Sequence, residues 1–350
     1  MMRVLHLLNT SKFSGAENVV CQIISMFRNQ SDYEMLYCSL DGSIRDALSE
    51  RDVQFVSLES MSVSNLKKII KKTRPDIIHA HDMRASYIAS LSCGRIPIIS
   101  HIHNNAFDSR RVSKKSIAFF LASFRISHIF WVSDEAMNQY VFSKFVNNKS
   151  SVLHNIIDIE SLLSKANEDK SSYTYDLVFV GRLSEEKNPM RLLDIVSEIK
   201  KSKKDISLAV VGDGIYKEIM EKEVYNKGLT SNVTFYGFLG NPYKILKDSY
   251  IMIMTSIREG LPMCILEALA LGTPVVSTPV GAIKDIISDS ENGYLCNENS
   301  DFSNRIIEIL NNEQKYVSMS LQSSSFAKRY NDKSSFVTTL SNAYVEAINH

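Results

Sequence analysis

Short apolar runs alternate with amphipathic stretches along the chain, and polar or glycine-containing turns separate them. The apolar runs have the length and composition of buried strands, and the amphipathic stretches have the period of helices. Strands that alternate with helices predict parallel, doubly wound α/β sheets. In the first part of the chain we predict strands at residues 3–8, 35–39, 54–58, 76–80, 96–100 and 128–133, with helices that include 16–28, 65–73 and 83–91.

The strand and helix pattern starts again at residue 176. Before it, residues 166–172 are polar and without periodicity, which is typical of a linker. A chain of 350 residues is long enough for two domains, so we predict one domain over 1–165 and a second over 166–330. The strands predicted in the second domain are 177–180, 207–211, 233–235, 251–254 and 274–277.

The composition limits the class of protein. Hydrophobic residues make up 44% and charged residues 23% of the chain, as in ordinary soluble proteins. The net charge of +1 gives no basic field that would attract nucleic acid. The five cysteines form no C-x-x-C pair, which indicates a reducing compartment and argues against a zinc site. Because no apolar run suits a membrane span or a signal peptide, we expect a cytoplasmic protein.

One stretch of the second domain combines two carboxylates with a helix start. After an apolar strand that ends near residue 255, Glu259 lies in a loop and Pro262 suits the first turn of a helix. Glu267 lies on that helix, which Gly272 ends, so the free N–H groups of the helix start lie between the two carboxylates. A helix start binds phosphate, and carboxylates accept hydrogen bonds from sugar and ribose hydroxyls. The stretch therefore fits a nucleotide sugar, although a solvated glutamate before an ordinary amphipathic helix has the same pattern.

Glu259 and Glu267, with seven residues between them, resemble the E-x7-E motif of the retaining family 4 glycosyltransferases. The letters EGLP at 259–262, LEA at 266–268 and GTPVV at 272–276 also resemble the wording of that family. The likeness extends over nearly the whole chain. It implies the α/β fold called GT-B, in which two facing Rossmann-like, doubly wound domains enclose the active site and a C-terminal helix crosses back to the first domain.

Residues 331–350 supply a candidate for this last helix, because they carry an apolar stripe at helical spacing. The stripe consists of Phe336, Leu340, Tyr344 and Ile348. By the same resemblance, the first domain would bind the acceptor and the second would bind the nucleotide sugar.

The resemblance also assigns backbone groups to donor binding. Gly15 lies in a loop between the first strand and a helix, where its backbone can approach an anion. The family usually has two glycines here, and this chain has Ser14 at the first of them, so a plain turn is the alternative. The backbone near Leu239 would contact the base. Because a backbone contact does not depend on the side chain, the sequence does not predict which base is bound. The helix start that meets the phosphates comprises Gly260, Leu261, Pro262 and Met263.

Two cations follow the first strand of the second domain, in a stretch that resembles the family's G-R-L-x-x-x-K motif. Arg182 offers a planar fork and Lys187 a point charge, and both suit a diphosphate. The leaving group of a sugar transfer is a nucleoside diphosphate whose negative charge grows in the transition state, so fixed cations lower the barrier. Two ordinary surface cations are the alternative. A further glycine turn at 212–214 is explained by the tight turn alone.

Four histidines lie at predicted strand ends: His79, His81, His101 and His103. The spacing of two within each pair places both members on one face of a strand. Hydrogen-bonded structural histidines are the first alternative, and zinc is a second that no carboxylate pattern supports. By resemblance, His103 faces the transferred sugar and His101 braces it.

The resemblance implies a retaining transfer of a sugar from a UDP- or GDP-linked donor to an acceptor hydroxyl. The chain has no D-x-D pair to hold a divalent ion, so we expect no metal and no cofactor, with Arg182 and Lys187 neutralising the diphosphate. His103 and Glu259 complete the expected catalytic set. The motifs resemble bacterial enzymes that extend lipid-carrier-linked oligosaccharides for O-antigen, capsule or exopolysaccharide. Two alternatives stay open: a non-hydrolysing UDP-sugar epimerase of the same fold, and a non-catalytic subunit that binds nucleotide sugar.

Two basic clusters lie in the first domain, one within 67–74 and one within 110–115. The second cluster leads into apolar residues 117–121, which suit a helix at a membrane interface. Each cluster is either a solvated helix face or a peripheral docking site for an anionic membrane surface. The clustered residues are Lys67, Lys68, Lys71, Lys72 and Arg74 in the first, and Arg110, Arg111, Lys114 and Lys115 in the second.

Overall fold

The computed structural model describes residues 1–103 and 107–349, and the chain divides into two compact units. The first unit comprises Met1–Ile156 together with Asp332–His350, and the second comprises Ile157–Asn331. Each unit is built around one β-sheet whose strands are all parallel. Within the part of the chain that the structure describes, no helix is both long enough and apolar enough to cross a bilayer.

The strands and helices alternate along both units. In chain order the strands are β1 Met2–Leu7, β2 Tyr33–Leu40, β3 Phe55–Leu58, β4 Ile77–Ala80, β5 Ile98–Ile102, β6 Ile126–Trp131, β7 Ser150–Val152, β8 Leu177–Val180, β9 Leu208–Val211, β10 Val233–Gly237, β11 Ile251–Met254, β12 Val275–Ser277 and β13 Gly293–Leu295. The helices are α1 Gly15–Phe27, α2 Ile44–Ser49, α3 Val63–Thr73, α4 Met83–Ser92, α5 Lys114–Ser123, α6 Asp134–Asn138, α7 Ser143–Val146, α8 Ile159–Glu168, α9 Pro189–Lys200, α10 Lys217–Asn226, α11 Tyr243–Asp248, α12 Met263–Ala270, α13 Ile283–Ile286, α14 Asn299–Leu310, α15 Glu313–Ala327 and α16 Lys333–Asn349.

The sheet of the first unit has the strand order β3-β2-β1-β4-β5-β6-β7. Strands β4 and β5 are buried along their whole length, because helices cover both faces of a doubly wound sheet. The order changes direction between β1 and β4. In open α/β sheets, ligands bind at the carboxyl ends of the strands at such a topological switch point.

The sheet of the second unit has the strand order β10-β9-β8-β11-β12-β13. Its switch point lies between β8 and β11, which pair in parallel through Leu177 with Ile251 and Val178 with Met252. The loops that follow these two strands carry Arg182 and Lys187 after β8 and Glu259 after β11. The predicted α/β fold with two doubly wound parallel sheets is confirmed.

The C-terminal helix α16 belongs to the first unit, although it ends the chain. It packs against α1, β5 and β6, and Tyr344 Oη lies 2.7 Å from His79 Nδ1. Phe336 and Leu340 of the predicted apolar stripe are buried with Tyr344, whereas Ile348 is 44% exposed. The predicted return of this helix to the first domain is therefore confirmed.

The division between the units falls after Ile156, before the predicted boundary at residue 165. Helix α8 packs against α11 and α12, and Asn241 Nδ2 donates a hydrogen bond to Lys165 O at 2.8 Å. This helix therefore belongs to the second unit. The predicted linker at 166–172 overlaps its last turn. The apolar positions of this helix, Ile159, Leu162, Leu163 and Ala166, do have helical spacing, but the polar residues that follow Ala166 hide its end.

Candidate functional site

The start of α12 has the geometry that its sequence predicts. Pro262 caps the helix in an extended conformation and Met263 begins it. The chain leaves the helix at Gly272, whose φ is +82°. Gly260, Leu261 and Met263 are buried, so the approach to the helix is packed into the unit. Since the first N–H groups of a helix have no intrahelical partner, this start can bind a phosphate.

Lys187 and Glu259, predicted for separate roles, form an ion pair. Lys187 Nζ donates to Glu259 Oε1 at 2.6 Å, and the two side chains are only 18% and 11% exposed. Ser256 Oγ donates to the same carboxylate oxygen at 2.7 Å. Burial works to lower the pKa of Lys187, but the neighbouring Glu259 carboxylate outweighs it, so the pKa is raised. Lys187 is therefore charged at neutral pH.

The backbone around this pair ties the loop after β8 to the loop after β11. Lys187 ends a single 3₁₀ turn, and Asn188 follows it with a φ of +48°. Thr255 Oγ1 bonds to Lys187 O at 3.1 Å and to Asn188 O at 3.0 Å. Ile257 N donates to Glu186 O at 2.7 Å. These bonds hold the lysine and the glutamate beside each other at the switch point.

Gly281 supports the same loop and was not predicted. Its φ is +60°, and a Cβ at this position would lie 2.1 Å from Glu259 O. Ala282 N donates to Gly260 O at 3.0 Å, which closes the contact. Only glycine allows the backbone to pass this closely. The glycine after a predicted strand was the available signal, but the loop that it meets lies elsewhere in the sequence.

The glycine turn at 212–214 supports the Arg182 loop. Leu183 N donates to Asp213 O at 2.9 Å, and a Cβ on Gly212 would lie 1.9 Å from Gly181 O. The turn therefore also packs against the Arg182 loop, a role that the sequence prediction of a tight turn did not include. Arg182 itself is exposed, and its charge is close enough to oppose protonation of Lys187 weakly.

The second carboxylate of the motif lies on the buried side of α12. Glu267 is 6% exposed, and Tyr243 Oη donates to its Oε1 at 3.4 Å. Cys264, one turn before it, has its pKa raised to about 12, chiefly by burial, with smaller contributions from the charges of Glu259 and Glu267. Both carboxylates therefore lie near the first turn of the helix. Leu239 follows β10 and is half-buried.

In the first unit, Gly15 begins α1 at the carboxyl end of β1. It is exposed, and a Cβ at this position would meet no atom of the described chain within 4 Å. Local packing therefore does not require glycine here. Ser14, where the family usually has another glycine, is extended and bonds through its hydroxyl to the Glu17 carboxylate.

Five histidines gather at the carboxyl ends of β1, β4 and β5, and we refer to them as the histidine cluster: His6, His79, His81, His101 and His103. Neighbouring rings have centroids 4.2–5.7 Å apart. His6 was not predicted as a member, because a single histidine in an apolar strand has no motif. It joins the others because β1 pairs with β4 in a register that aligns His6 with His79.

The cluster is neutral at neutral pH. Burial lowers the pKa of His6 to about 3 and that of His103 to about 4, with a small opposing effect of Asn155 on His103. Burial, and next the charges of neighbouring histidines, hold the pKa of His79, His81 and His101 well below the usual value. Each ring therefore carries one N–H and one lone pair.

Two sets of three histidines are close enough to be considered as metal ligands. Ring nitrogens of His6, His79 and His81 lie within 4.8 Å of one another, as do those of His81, His101 and His103. Zinc bonds to nitrogen at about 2.0–2.1 Å, so the rings would have to approach each other further to share one ion. The expectation of a metal-free site stays a prediction.

Two family models together match most of the chain. The model described as glycosyltransferase family 4 matches residues 13–161, and the model described as glycosyl transferases group 1 matches residues 163–325. Together with the two Rossmann-like units, they place the protein in the GT-B class of glycosyltransferases. The chain belongs to the family 4 glycosyltransferases.

Individual relatives agree with this membership. The UDP-Gal:α-D-GlcNAc-diphosphoundecaprenol α-1,3-galactosyltransferase of Escherichia coli is 23% identical over 345 residues, 88% of this chain and 88% of that protein. An uncharacterized glycosyltransferase of Methanocaldococcus jannaschii is 28% identical over 234 residues, 60% of this chain and 57% of that protein, so the chain spans just over half of that relative. Anabaena HepE in complex with UDP-glucose has the same fold, with a TM-score of 0.84 and 19% identity over 99% of this chain and 100% of that one.

Proposed function

We propose that this glycosyltransferase moves a sugar, with retention of its anomeric configuration, from a UDP- or GDP-linked donor to a hydroxyl of a lipid-linked oligosaccharide. The observation that carries the proposal is the partly buried Lys187–Glu259 pair beside the start of α12. It brings a cation for the diphosphate and a carboxylate for the sugar to one switch point. The names of similar proteins support the substrate class, since the E. coli relative is named for a UDP-sugar donor and a diphosphoundecaprenol-linked acceptor.

Donor binding would give each member of the pair a new partner. The diphosphate gives the Lys187 ammonium an anion, and the sugar hydroxyls donate hydrogen bonds to the Glu259 carboxylate. Each charge therefore keeps a partner when the donor binds. A charge left without a partner in the interior would be strongly unfavourable. Binding therefore exchanges partners at the switch point and creates no unpaired charge there.

The chemical step proposed is a front-face displacement. The bond from the anomeric carbon to the phosphate oxygen breaks, and the acceptor oxygen bonds to the same carbon on the same face. The acceptor proton passes to the departing phosphate oxygen. Arg182, Lys187 and the N–H groups at the start of α12 stabilise the charge that develops on the diphosphate. The enzyme thus acts by positioning and electrostatics, without a metal ion or cofactor.

The other assigned residues position the two substrates. In this proposal His103 supports the reacting face of the sugar and Glu267 accepts hydrogen bonds from the ribose. Gly15 offers its backbone to the donor, and Leu239 offers its backbone to the base. The helix start comprises Gly260, Leu261, Pro262 and Met263.

A panel of UDP- and GDP-sugars, screened for thermal stabilisation and then for transfer to lipid-linked acceptors, tests the proposal. Proton NMR of the product should show the anomeric configuration of the donor, and transfer should persist in excess EDTA. An inverted product would refute retention, and loss of activity in EDTA that manganese restores would refute metal independence. Conversion of the donor sugar without an acceptor would favour the epimerase, whereas tight binding without turnover would favour the non-catalytic subunit.

An exposed aromatic patch in the first unit suits the lipid part of such an acceptor. We refer to Phe120, Phe124, Phe142 and Phe145 as the phenylalanine patch. The Phe120 ring packs against the other three, with centroids 4.8–5.7 Å apart. Phe124 is 71% and Phe145 is 70% exposed. Exposed aromatic groups that touch each other on a surface mark an interaction site.

Helix α5 continues this patch and joins it to the second basic cluster. Ile117, Leu121 and Phe124 are exposed and lie on one side of the helix, at spacings of four and three residues. The basic residues at 110–115 lie at its N-terminal end. Aromatic and aliphatic groups beside a basic cluster fit an anionic lipid surface. We propose peripheral docking there, at the cytoplasmic face of the membrane.

The first basic cluster lacks such a companion. The lysines of α3 are exposed, but Leu66 is buried and Ile69 and Ile70 pack against the core. Its apolar side is therefore occupied within the unit. This cluster fits a solvated helix face.

A further inference from the structure

Three members of the histidine cluster form a hydrogen-bonded chain that begins at a methionine. Met35 Sδ lies 3.3 Å from His6 Nε2. His6 Nδ1 lies 2.9 Å from His81 Nε2, and His81 Nδ1 lies 2.9 Å from His103 Nε2. The chain thus runs from β2 through the ends of β1 and β4 to the residue after β5.

The methionine sets the direction of every hydrogen bond in this chain. A thioether sulfur carries no hydrogen and can only accept, so His6 must carry its N–H on Nε2. Since the ring is neutral, His6 Nδ1 is then a lone pair and accepts from His81 Nε2–H. By the same argument, His81 Nδ1 accepts from His103 Nε2–H.

The last ring in the chain is left with one possible form, in which His103 Nδ1 carries a lone pair. The reverse order would direct a lone pair of His6 at the sulfur. Within the part of the chain that the structure describes, His103 Nδ1 is buried and forms no hydrogen bond, so this lone pair remains available to a substrate group. The rings also remain uncharged at neutral pH, so no second N–H disturbs the order.

We propose that Met35, His6 and His81 are positioning residues that hold His103 in the tautomer protonated on Nε2, so that its Nδ1 accepts a hydrogen bond from a substrate hydroxyl. The proposal rests on the role given to His103 in the proposed function. It restricts the partner of His103 Nδ1 to a group with a hydrogen to donate. A hydroxyl of the donor sugar or of the acceptor meets this requirement, and an ether or carbonyl oxygen does not.

Side-chain ¹⁵N NMR of the protein without substrate tests the tautomer directly. His6, His81 and His103 should each show a protonated Nε2 and a bare Nδ1. Replacing Met35 by Leu keeps the volume and removes the acceptor, so all three rings should become mixtures of tautomers. Met61→Leu is the matched control, because Met61 is a buried methionine of the same unit that takes no part in these hydrogen bonds. It should leave the spectrum unchanged. A protonated Nδ1 on His103, or an unchanged His103 signal in Met35→Leu, would overturn the proposal.

Two substitutions at His81 connect the tautomer to catalysis. His81→Asn keeps an oxygen that can accept from His103 Nε2–H, whereas His81→Phe keeps only a ring. We expect kcat to fall at least tenfold in the Phe variant with a smaller change in KM, and to recover within a few-fold in the Asn variant. Equal losses in two folded variants would show that His81 has no positioning role. Because the NMR measurement needs no substrate, the predicted tautomers in a protein that transfers no sugar would instead count against the proposed function alone.

Discussion

Replacing Lys187 by Met tests whether the partly buried ion pair of Lys187 and Glu259 serves stability, catalysis or both. Its Nζ–Oε1 distance is 2.6 Å and its side chains are 18% and 11% exposed. Two unit charges at this separation attract by about 6 kcal/mol at an effective dielectric constant of about 20, and the loss of hydration offsets much of this. The Lys187→Met variant leaves Glu259 buried without its cation, so the free energy of unfolding of the second unit should fall by about 3 kcal/mol.

The double variant Lys187→Met with Glu259→Gln separates the two roles. It leaves no buried charge, so its stability should return to within about 1 kcal/mol of the wild type, while donor binding stays weak. Hydrogen exchange of peptides from β8 and β11 reports the unfolding of the second unit. Lys227→Met is the control, because its two partners lie at the surface: Asp194, 3.0 Å away, is 49% exposed, and Glu223, 3.3 Å away, is 30% exposed. A surface pair of this kind should cost at most about 1 kcal/mol.

Three outcomes would refute parts of this reasoning. If Lys187→Met lowered the free energy of unfolding by no more than Lys227→Met does, water would be solvating the Glu259 carboxylate in place of the lysine. A double variant as unstable as the single one would mean that packing of the lysine side chain, rather than its charge, had been lost. Unchanged donor affinity in a stable double variant would remove Lys187 from diphosphate binding.

Four further predictions address the other assigned groups. Arg182→Ala should keep wild-type stability, because the side chain is exposed. In steady-state kinetics the variant should lower kcat by about 100-fold, with a smaller loss of donor affinity. Weaker binding at unchanged kcat would exclude a transition-state role for Arg182. Glu267→Ala should weaken UDP binding by about 1.5–3 kcal/mol in calorimetry, and an unchanged affinity would contradict the ribose contact. The double variant Phe124→Ser with Phe145→Ser should sediment less with anionic vesicles than the wild type, whereas neutralising the lysines of α3 should leave sedimentation unchanged. A wild type that does not sediment with such vesicles at low salt would contradict docking. Below pH 6.5 the unfolded chain binds protons that the buried histidine cluster excludes, so the first unit should lose up to about 1.4 kcal/mol per pH unit for each histidine, which urea unfolding followed by Trp131 fluorescence measures. The second unit has no histidine, and hydrogen exchange of its β8 and β11 peptides over the same pH range is the control. A flat profile for the first unit would contradict the lowered pKa values.

Most strands were predictable because both sheets are parallel and buried. Strands such as β4 and β11 are short apolar runs that the covering helices exclude from water. The predicted strand at 96–100 begins instead at Ile98, after Pro97, which has no N–H for the ladder. The edge strands β7 and β13 were missed, since each has only three residues and pairs on one side. A run of this length carries no measurable period.

The candidate site was predictable residue by residue but not as an arrangement. Lys187 and Glu259 were recognised from separate local motifs, yet they are 72 positions apart and meet only because β8 and β11 are neighbours across the switch point. The same holds for Gly281, whose requirement for glycine comes from the backbone of the Glu259 loop, and for His6, whose partners depend on the register between β1 and β4. The sequence therefore assigns roles one at a time, whereas the topology makes them depend on each other. A substitution at Lys187 also changes the environment of Glu259. The kinetics of the Lys187 variant can therefore be interpreted only together with its stability and with the stability of the double variant.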